Sequence, residues 1–350
     1  MGALAAPSPG AGRLYGSRVG GLAAVLCMAA ACVLAAPAWA AEDSPQAVPD
    51  PLVALLQEIQ TAARQSNYSG VFTYQQGPVM QSTRVVHRMD GTGERELLEM
   101  LDGAPREFVR HNNAVQCLIP EKKTIVLQRG RGDRFPALLL GDGKSIPAHY
   151  AIKKGRVPSR VAGRECTVIE LNPRDAHRYG YRFCADVATH LLLKAQTLGL
   201  HREVVDQISF TSLHMDDTIS DEQLDPHWKT DGWRVLESPM APIDLAKMGW
   251  QIPAPAGFET ITQVSRSMNA GRKVSQLVLS DGLAAISVFI EPTDRTRKTA
   301  PLTGAVHKGA MNIFGAKIGD YRLTAIGEVP AATLRDIAQH AQYAPLIAPR

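Results

Sequence analysis

Two cysteines, Cys166 and Cys184, flank the core of GRECTVIELNPRDAHRYGYRFCAD, residues 163–186. Three chemistries use cysteine pairs. A redox centre wants a close Cys-x-x-Cys at a helix start, where the terminus lowers a thiol pKa; here seventeen residues intervene. A zinc site wants two further ligands at fixed spacing, and none accompany this pair. A structural disulfide needs only facing Cβ atoms. The pair is symmetric about Asp175, so a hairpin turning there sets the two cysteines opposite each other on adjacent strands. In an oxidising compartment that spacing predicts a disulfide between Cys166 and Cys184. Cys117, inside an apolar strand, is expected to be a buried thiol outside it.

Other catalytic patterns fail on inspection. Gly143-Lys144-Ser145 resembles the end of a phosphate-binding loop, but Leu138 stands where that loop needs glycine. Neither a Gly-x-Ser-x-Gly elbow nor a His-Glu-x-x-His pair is present. His214-Met215-Asp216-Asp217 reads as an exposed strand end rather than a cation site. Arg129-Gly130-Arg131-Gly132-Asp133-Arg134 lacks interleaved aromatics, so it reads as a solvated hairpin tip and not as a nucleic-acid surface. No catalytic residue, metal site or cofactor is assigned, and a binding protein is expected rather than an enzyme.

The compartment is legible at the start of the chain. Arg13 and Arg18 precede an apolar run from Gly21 to Ala36, which ends at Ala38-Trp39-Ala40. A basic start, a short apolar core and a small-x-small ending describe a signal peptide over 1–40. Cys32 offers a weaker, lipid-attachment alternative. No later run reaches membrane-spanning length. Beyond Ala40 there are 36 basic and 34 acidic side chains, and from Gln251 onward 11 against 7. That mildly basic C-terminal third suits an acidic protein partner or an anionic head group, and an ordinary solvated surface accounts for it equally well.

The elements that must position these residues fall into two groups. Leu52, Leu55, Leu56 and Ile59 recur at helical spacing behind Asp50 and Pro51. Short β-rich segments then run from YSGVFTYQQ to VVDQISFTSL, separated by turn signals such as Asp90-Gly91 and Asp102-Gly103. They predict an antiparallel sheet curled into a barrel or half-barrel. Tyr68, Gly70, Phe72 and Tyr74 share one face of its first strand. That face either lines an apolar cavity or fills a core. Residues 217–249, acidic at first and broken by Pro226, Pro239 and Pro242, read as a connector. Past it, a hairpin at Asp281-Gly282 and a helix over AATLRDIAQHAQ predict a smaller α+β domain. The expected organisation is a first domain over 41–216, a linker over 217–249, a second domain over 250–343 and a tail over 344–350.

Several short stretches carry a family resemblance: Tyr68-Ser69-Gly70 with Phe72-Thr73-Tyr74, Val161-Ala162-Gly163-Arg164, Pro173-Arg174-Asp175, Arg178-Tyr179-Gly180-Tyr181-Arg182-Phe183 and Leu191-Leu192-Leu193-Lys194. Pro255-Ala256-Gly257-Phe258, Ser280-Asp281-Gly282-Leu283 and Ile326-Gly327-Glu328-Val329-Pro330 follow in the C-terminal part. In order and over the whole mature length, the chain resembles the RseB/MucB family of periplasmic regulators of the sigma-E type envelope-stress response. The second cysteine departs from the family pattern, so the disulfide rests on the hairpin argument alone. The resemblance implies an α+β fold: an N-terminal antiparallel β half-barrel with helices, similar to lipoprotein carriers, and a second, smaller α+β domain. It implies a non-enzyme that binds the periplasmic segment of a transmembrane anti-sigma factor and shields it from proteolysis. Lipid or lipopolysaccharide acyl chains would release that segment. Phe72 and Tyr74 are then the lipid candidates. Arg266, Arg272, Lys273, Arg295, Arg297 and Lys298 are the electrostatic candidates for the partner. A periplasmic lipid or lipoprotein carrier is the alternative, and self-association into a homo-oligomer stays open.

Overall fold

The computed structural model describes residues 51–129, 135–137, 139–140, 143–216, 218–237, 239–267, 273–293 and 304–345. The expected signal peptide and the Gly130–Arg134 tip lie outside the described residues, as do Arg272, Arg295, Arg297 and Lys298.

The first helix, α1 (Pro51–Gln65), buries Val53, Leu56, Ile59, Ala62 and Ala63 along one stripe. A meander follows: β1 (Tyr68–Gln76), β2 (Val79–Asp90), β3 (Gly93–Met100), β4 (Glu107–His111), β5 (Ala114–Ile119) and β6 (Thr124–Arg129). Beyond a short helix, α2 (Ile146–His149), come β7 (Tyr150–Lys154), β8 (Ser159–Val161), β9 (Arg164–Pro173), β10 (Gly180–Asp186), β11 (Leu192–Leu198) and β12 (Val204–Met215). β12 returns to pair antiparallel with β1, and β7 stands at one end of a sheet that does not close on itself. α1 packs against β2, β7 and β11, strands far apart in the sheet order, so the sheet must curve around it. This is the expected half-barrel. Gly70 permits a close approach of two backbones within it: a Cβ there would lie 2.3 Å from the Ser212 carbonyl oxygen, beside the bulge between Val71 and Phe72.

Cys166 and Cys184 are disulfide-bonded, with Cα atoms 5.4 Å apart. The register, however, differs from the symmetric expectation. Cys166 faces Asp186 and Cys184 faces Val168, so the hairpin is centred on Ala176 and the cysteines are diagonal neighbours. Both are buried in the core. Cys117, expected to be buried, is only half-buried in β5.

A further strand, β13 (Arg234–Glu237), adds in parallel to β6 at the other end of the first sheet. The second sheet begins with β14 (Met240–Pro242). After β15 (Trp250–Gln251) it continues through β16 (Glu259–Ser267), β17 (Lys273–Ser280), β18 (Ala285–Pro292), β19 (Gly304–Lys308), β20 (Met311–Ile318) and β21 (Tyr321–Gly327). α3 (Ala331–His340) packs on β20 and β21, and β22 (Gln342–Tyr343) pairs with β15. Leu277, Ile286, Val288, Leu323, Leu334 and Ile337 fill this second core, separate from that around α1.

The segment read as a connector is packed for much of its length. Ile219 and Leu224 are buried against Val86 and Leu97. Arg88 donates to the Ile219 carbonyl at 2.9 Å and to Asp221 at 2.7 Å. The backbone N–H of His227 donates to Glu107, whose carboxylate is fully buried. Proline-punctuated composition hides these anchors because the docking on the first sheet rests on two apolar side chains, Ile219 and Leu224, spaced without a period.

Candidate functional site

Phe72 lies on the concave face of the first sheet, 7% exposed. Its ring meets Phe135 at 5.3 Å and Phe210 at 5.9 Å between centroids. Phe135, Leu139 and Ile146 themselves pack into the concavity beside α1. The Gln60 side chain ties this segment down, donating to the Leu139 carbonyl and accepting from its N–H. The chain's own side chains therefore occupy the floor that Phe72 was expected to offer. Next to it the same face turns polar: Tyr68, His87, Glu96 and Arg110 stand side by side on β1 to β4, all buried. Burial pushes the Glu96 carboxyl up from its ordinary range, against the pull of Arg110.

Tyr74, the second lipid candidate, is engaged elsewhere. Its hydroxyl donates to Asp206 at 3.1 Å and accepts from the Gln76 amide at 3.0 Å. The same Gln76 amide reaches the Lys308 carbonyl in the second sheet at 2.9 Å. Tyr74 thus belongs to the seam between the two sheets.

That seam is the most elaborate polar site of the described residues. At its centre the Arg178 side chain, 0% exposed, donates to Asp281 at 2.7 Å. Its Nε faces both Asp175 oxygens, and its remaining nitrogen donates to the Ala256 carbonyl. The guanidinium lies 5.0 Å from the centroid of Phe258 and 5.6 Å from that of Tyr150. Tyr150 also donates to Asp281 at 2.8 Å. Asp281 Oδ1 accepts from the N–H groups of Leu283 and Ala284, which shapes the turn between β17 and β18. Burial opposes charge on Asp175, yet the Arg178 guanidinium and the His177 N–H hold its carboxyl below the usual range. Burial, with Tyr181 and Asp281 nearby, drives the Tyr150 phenol well above its ordinary value.

Further links cross the seam. Leu140 N–H donates to the Gly282 carbonyl at 2.8 Å. The Asn312 amide donates to Tyr179 and to the Val329 carbonyl. Thr333 donates to the His177 carbonyl at 3.0 Å. Gly257, at φ +77°, packs on His149 so closely that a Cβ would lie 2.2 Å from the imidazole.

Of the basic candidates, Arg266 and Lys273 both lie at the turn end of the β16–β17 hairpin but on opposite faces of the sheet, since Arg266 faces Val274 and Ser267 faces Lys273. Arg266 also lies opposite Met240 of β14. Arg178, Asp281, Tyr150, Asp206 and Glu328 were not singled out from the sequence as site residues. The signal was present, since Arg178, Ala256, Phe258, Asp281, Gly282, Glu328 and Val329 all fall in the short stretches that carry the family resemblance. Among the described residues no group of three His, Cys, Asp or Glu side chains is placed to hold a metal, and no helix is long and apolar enough to cross a membrane.

Comparison with known proteins agrees with this two-sheet arrangement. The chain is 29% identical over 297 residues to the sigma factor AlgU regulatory protein MucB of Pseudomonas aeruginosa, covering 81% of this chain and 88% of that protein. It is 26% identical over 297 residues to the sigma-E factor regulatory protein RseB of Escherichia coli strain K12, covering 83% and 90%. The crystal structure of MucB in complex with MucA(peri) superposes with a TM-score of 0.64 at 25% identity, covering 84% of this chain and 99% of that one. A Pseudomonas aeruginosa MucA/MucB complex gives 0.66 at 25% identity over 85% and 100%. Residues 51–228 match the MucB/RseB N-terminal domain and residues 244–342 the MucB/RseB C-terminal domain, and the chain belongs to the MucB/RseB family.

Proposed function

We propose that this chain is a periplasmic regulator that binds the periplasmic segment of a transmembrane anti-sigma factor and shields it from regulated proteolysis. Acyl chains of lipid or lipopolysaccharide would release that segment. The first sheet with α1 serves as one domain, the second sheet with α3 as another, and residues 217–249 join them. The observation that carries this reading is the superposition on MucB in its complex with MucA(peri), which spans 99% of that MucB chain and so takes in both sheets. Release requires a ligand with unequal affinity for the free and complexed forms. Phe72 supplies an apolar floor for it once the Phe135 segment gives way. Arg266 and Lys273, with Arg272, Arg295, Arg297 and Lys298, supply the basic surface for the partner. A lipid-carrier role would leave the buried seam to the second sheet without a purpose.

The test uses the secreted, mature chain and the periplasmic segment of the anti-sigma factor made by the same cell. Calorimetry should show one-to-one binding that weakens with salt, and the chain should slow cleavage of the segment by its site-one protease. Lipopolysaccharide should reverse both effects. Absence of binding at micromolar concentrations overturns the reading. Binding without protection leaves an anti-sigma partner and removes the shielding role.

A further inference from the structure

The second sheet is left open at one corner. β16 pairs with β14 only through Val264, Ser265 and Arg266, and the Ile243 N–H reaches the Gln263 carbonyl just beyond. Among the described residues no strand covers residues 260–262 on the side away from β17. This free edge borders a cavity of about 500 Å³ between the sheet, residues 245–254 and the end of α3. Leu245, Trp250, Leu277 and Leu279, all buried, form its floor, and Thr260 and Gln263 form its wall on β16. Those two wall residues stand three apart, which in a regular strand would set them on opposite faces. The bulge between Thr260 and Thr262 brings both onto the face of Leu279 and Leu277, their partners on β17. Ile261, the extra residue of the bulge, is 59% exposed.

The rim of the cavity is polar and uncharged. Gln251 of β15 and Gln342 of β22 stand opposite each other, and neither side-chain amide is bonded among the described residues. His340 donates from Nδ1 to the Asp336 carbonyl at 2.9 Å, which leaves Nε2 of the neutral ring as an acceptor. No Asp, Glu, Lys or Arg lines the cavity. An anionic head group or a charged side chain would therefore lose its water there and meet no counter-charge. Amides and a hydroxyl match the N–H and C=O groups of a polypeptide, and a free strand edge is a template for backbone. We propose that this corner is a peptide-docking site: an extended, uncharged stretch of a partner polypeptide adds to β16 at residues 260–262 and lowers one large apolar side chain onto Leu245, Trp250, Leu277 and Leu279. Main-chain hydrogen bonds along the edge supply affinity, and the cavity selects the side chain. No charge takes part, so binding here is insensitive to salt, unlike the contact proposed for Arg266 and Lys273.

The wild-type mature chain tests this with a synthetic probe, acetyl-Ser-Thr-Val-Leu-Val-Thr-Ser-amide, followed by amide NMR. The probe contains neither an anti-sigma segment nor a lipid, so this inference and the regulatory reading can fail separately. At millimolar probe, saturable shifts should appear at residues 260–262 and at the side-chain amides of Gln251 and Gln342, unchanged by added salt. Lysine in place of the central leucine should weaken binding roughly tenfold or more, because its charge finds no partner in the cavity. N-methylation of every second amide of the probe should weaken it as much, since it removes the ladder donors and keeps the leucine. Thr260→Arg, at an exposed position, should do the same with the urea midpoint unchanged. No shifts at these residues, equal binding of the lysine probe, or indifference to N-methylation each overturns the proposal. Dodecanoate that shifts these amides where the peptide does not would mark an acyl-chain groove and overturn it as well.

Discussion

Arg178 and Asp281 are 103 residues apart in the chain and 2.7 Å apart in space, with both side chains fully buried. One belongs to the loop entering β10 and the other to the turn between β17 and β18, so this pair ties the two cores to one another. A buried pair of this kind contributes little by its Coulomb energy, because desolvation offsets the attraction. Its importance is that either partner alone is intolerable, which fixes one docking arrangement among the many that apolar contact would permit.

Arg178→Met should therefore destabilise the chain by about 3–5 kcal/mol, since it strands Asp281 in the seam. Arg178→Lys should recover only part of this loss, because a single ammonium cannot serve Asp175, Asp281 and the Ala256 carbonyl together. Urea denaturation gives both values. An Arg178→Met chain within 1 kcal/mol of wild type would show that the seam is not under this control.

Removal of the disulfide by a Cys166→Ser, Cys184→Ser double substitution should cost about 3 kcal/mol in the chain-entropy account, for a closed loop with a sequence separation of 18. Reduction of the wild type should lower the unfolding free energy by the same amount, and the denaturation midpoint with it. Equal midpoints with and without reductant would contradict it.

Asp186 sets an acid limit. It accepts from Arg164 through both oxygens and from the N–H groups of Ala188 and Thr189. Burial works against its charge, but Arg164 and Thr189 win and hold the carboxyl below its ordinary range. A depressed folded-state pKa gives stability that is present above about pH 4 and lost as pH falls through the folded value. Asp186→Asn should cost roughly 1–3 kcal/mol at pH 7 and should approach the wild type in stability at about pH 2. A constant difference down to that pH would remove charge as the cause.

The sheet, the helix at Pro51 and the cysteine pair were legible because each is a local pattern: a period, a cap or a hairpin. The cysteine register was misread by two residues, because symmetry about Asp175 places the centre of the hairpin one residue before Ala176. The apolar face of β1 was found, yet the alternation that groups Tyr74 with Phe72 cannot tell that Tyr74 bonds Asp206 of the same sheet at its seam with the second. The seam is assembled from Arg178, Ala256, Asp281 and Glu328, and no spacing rule joins residues so far apart in sequence. Only the resemblance pointed to those stretches, and it gave no reason for their presence.

The strap over residues 218–228 gives the last prediction. Proline and acidic content suggest that proteases cut first between Asp216 and Lys247, but Leu224 is 1% exposed and Ile219 4%. Arg88 and Arg95 both hold Asp221 at the surface. Cleavage needs about ten residues of local unfolding, so the buried anchors set its rate. Leu224→Ala removes a buried side chain at a cost of roughly 2–5 kcal/mol, taken mainly from this local unit because the main core around α1 does not include it. Chymotrypsin under native conditions should cut the wild type slowly at Leu224 and Trp228. Leu224→Ala should be cut at Trp228 at least tenfold faster, with global urea stability nearly unchanged. Rapid wild-type cleavage at Leu224, or a Leu224→Ala chain whose cleavage rate matches the wild type, would show the segment to be a free tether after all.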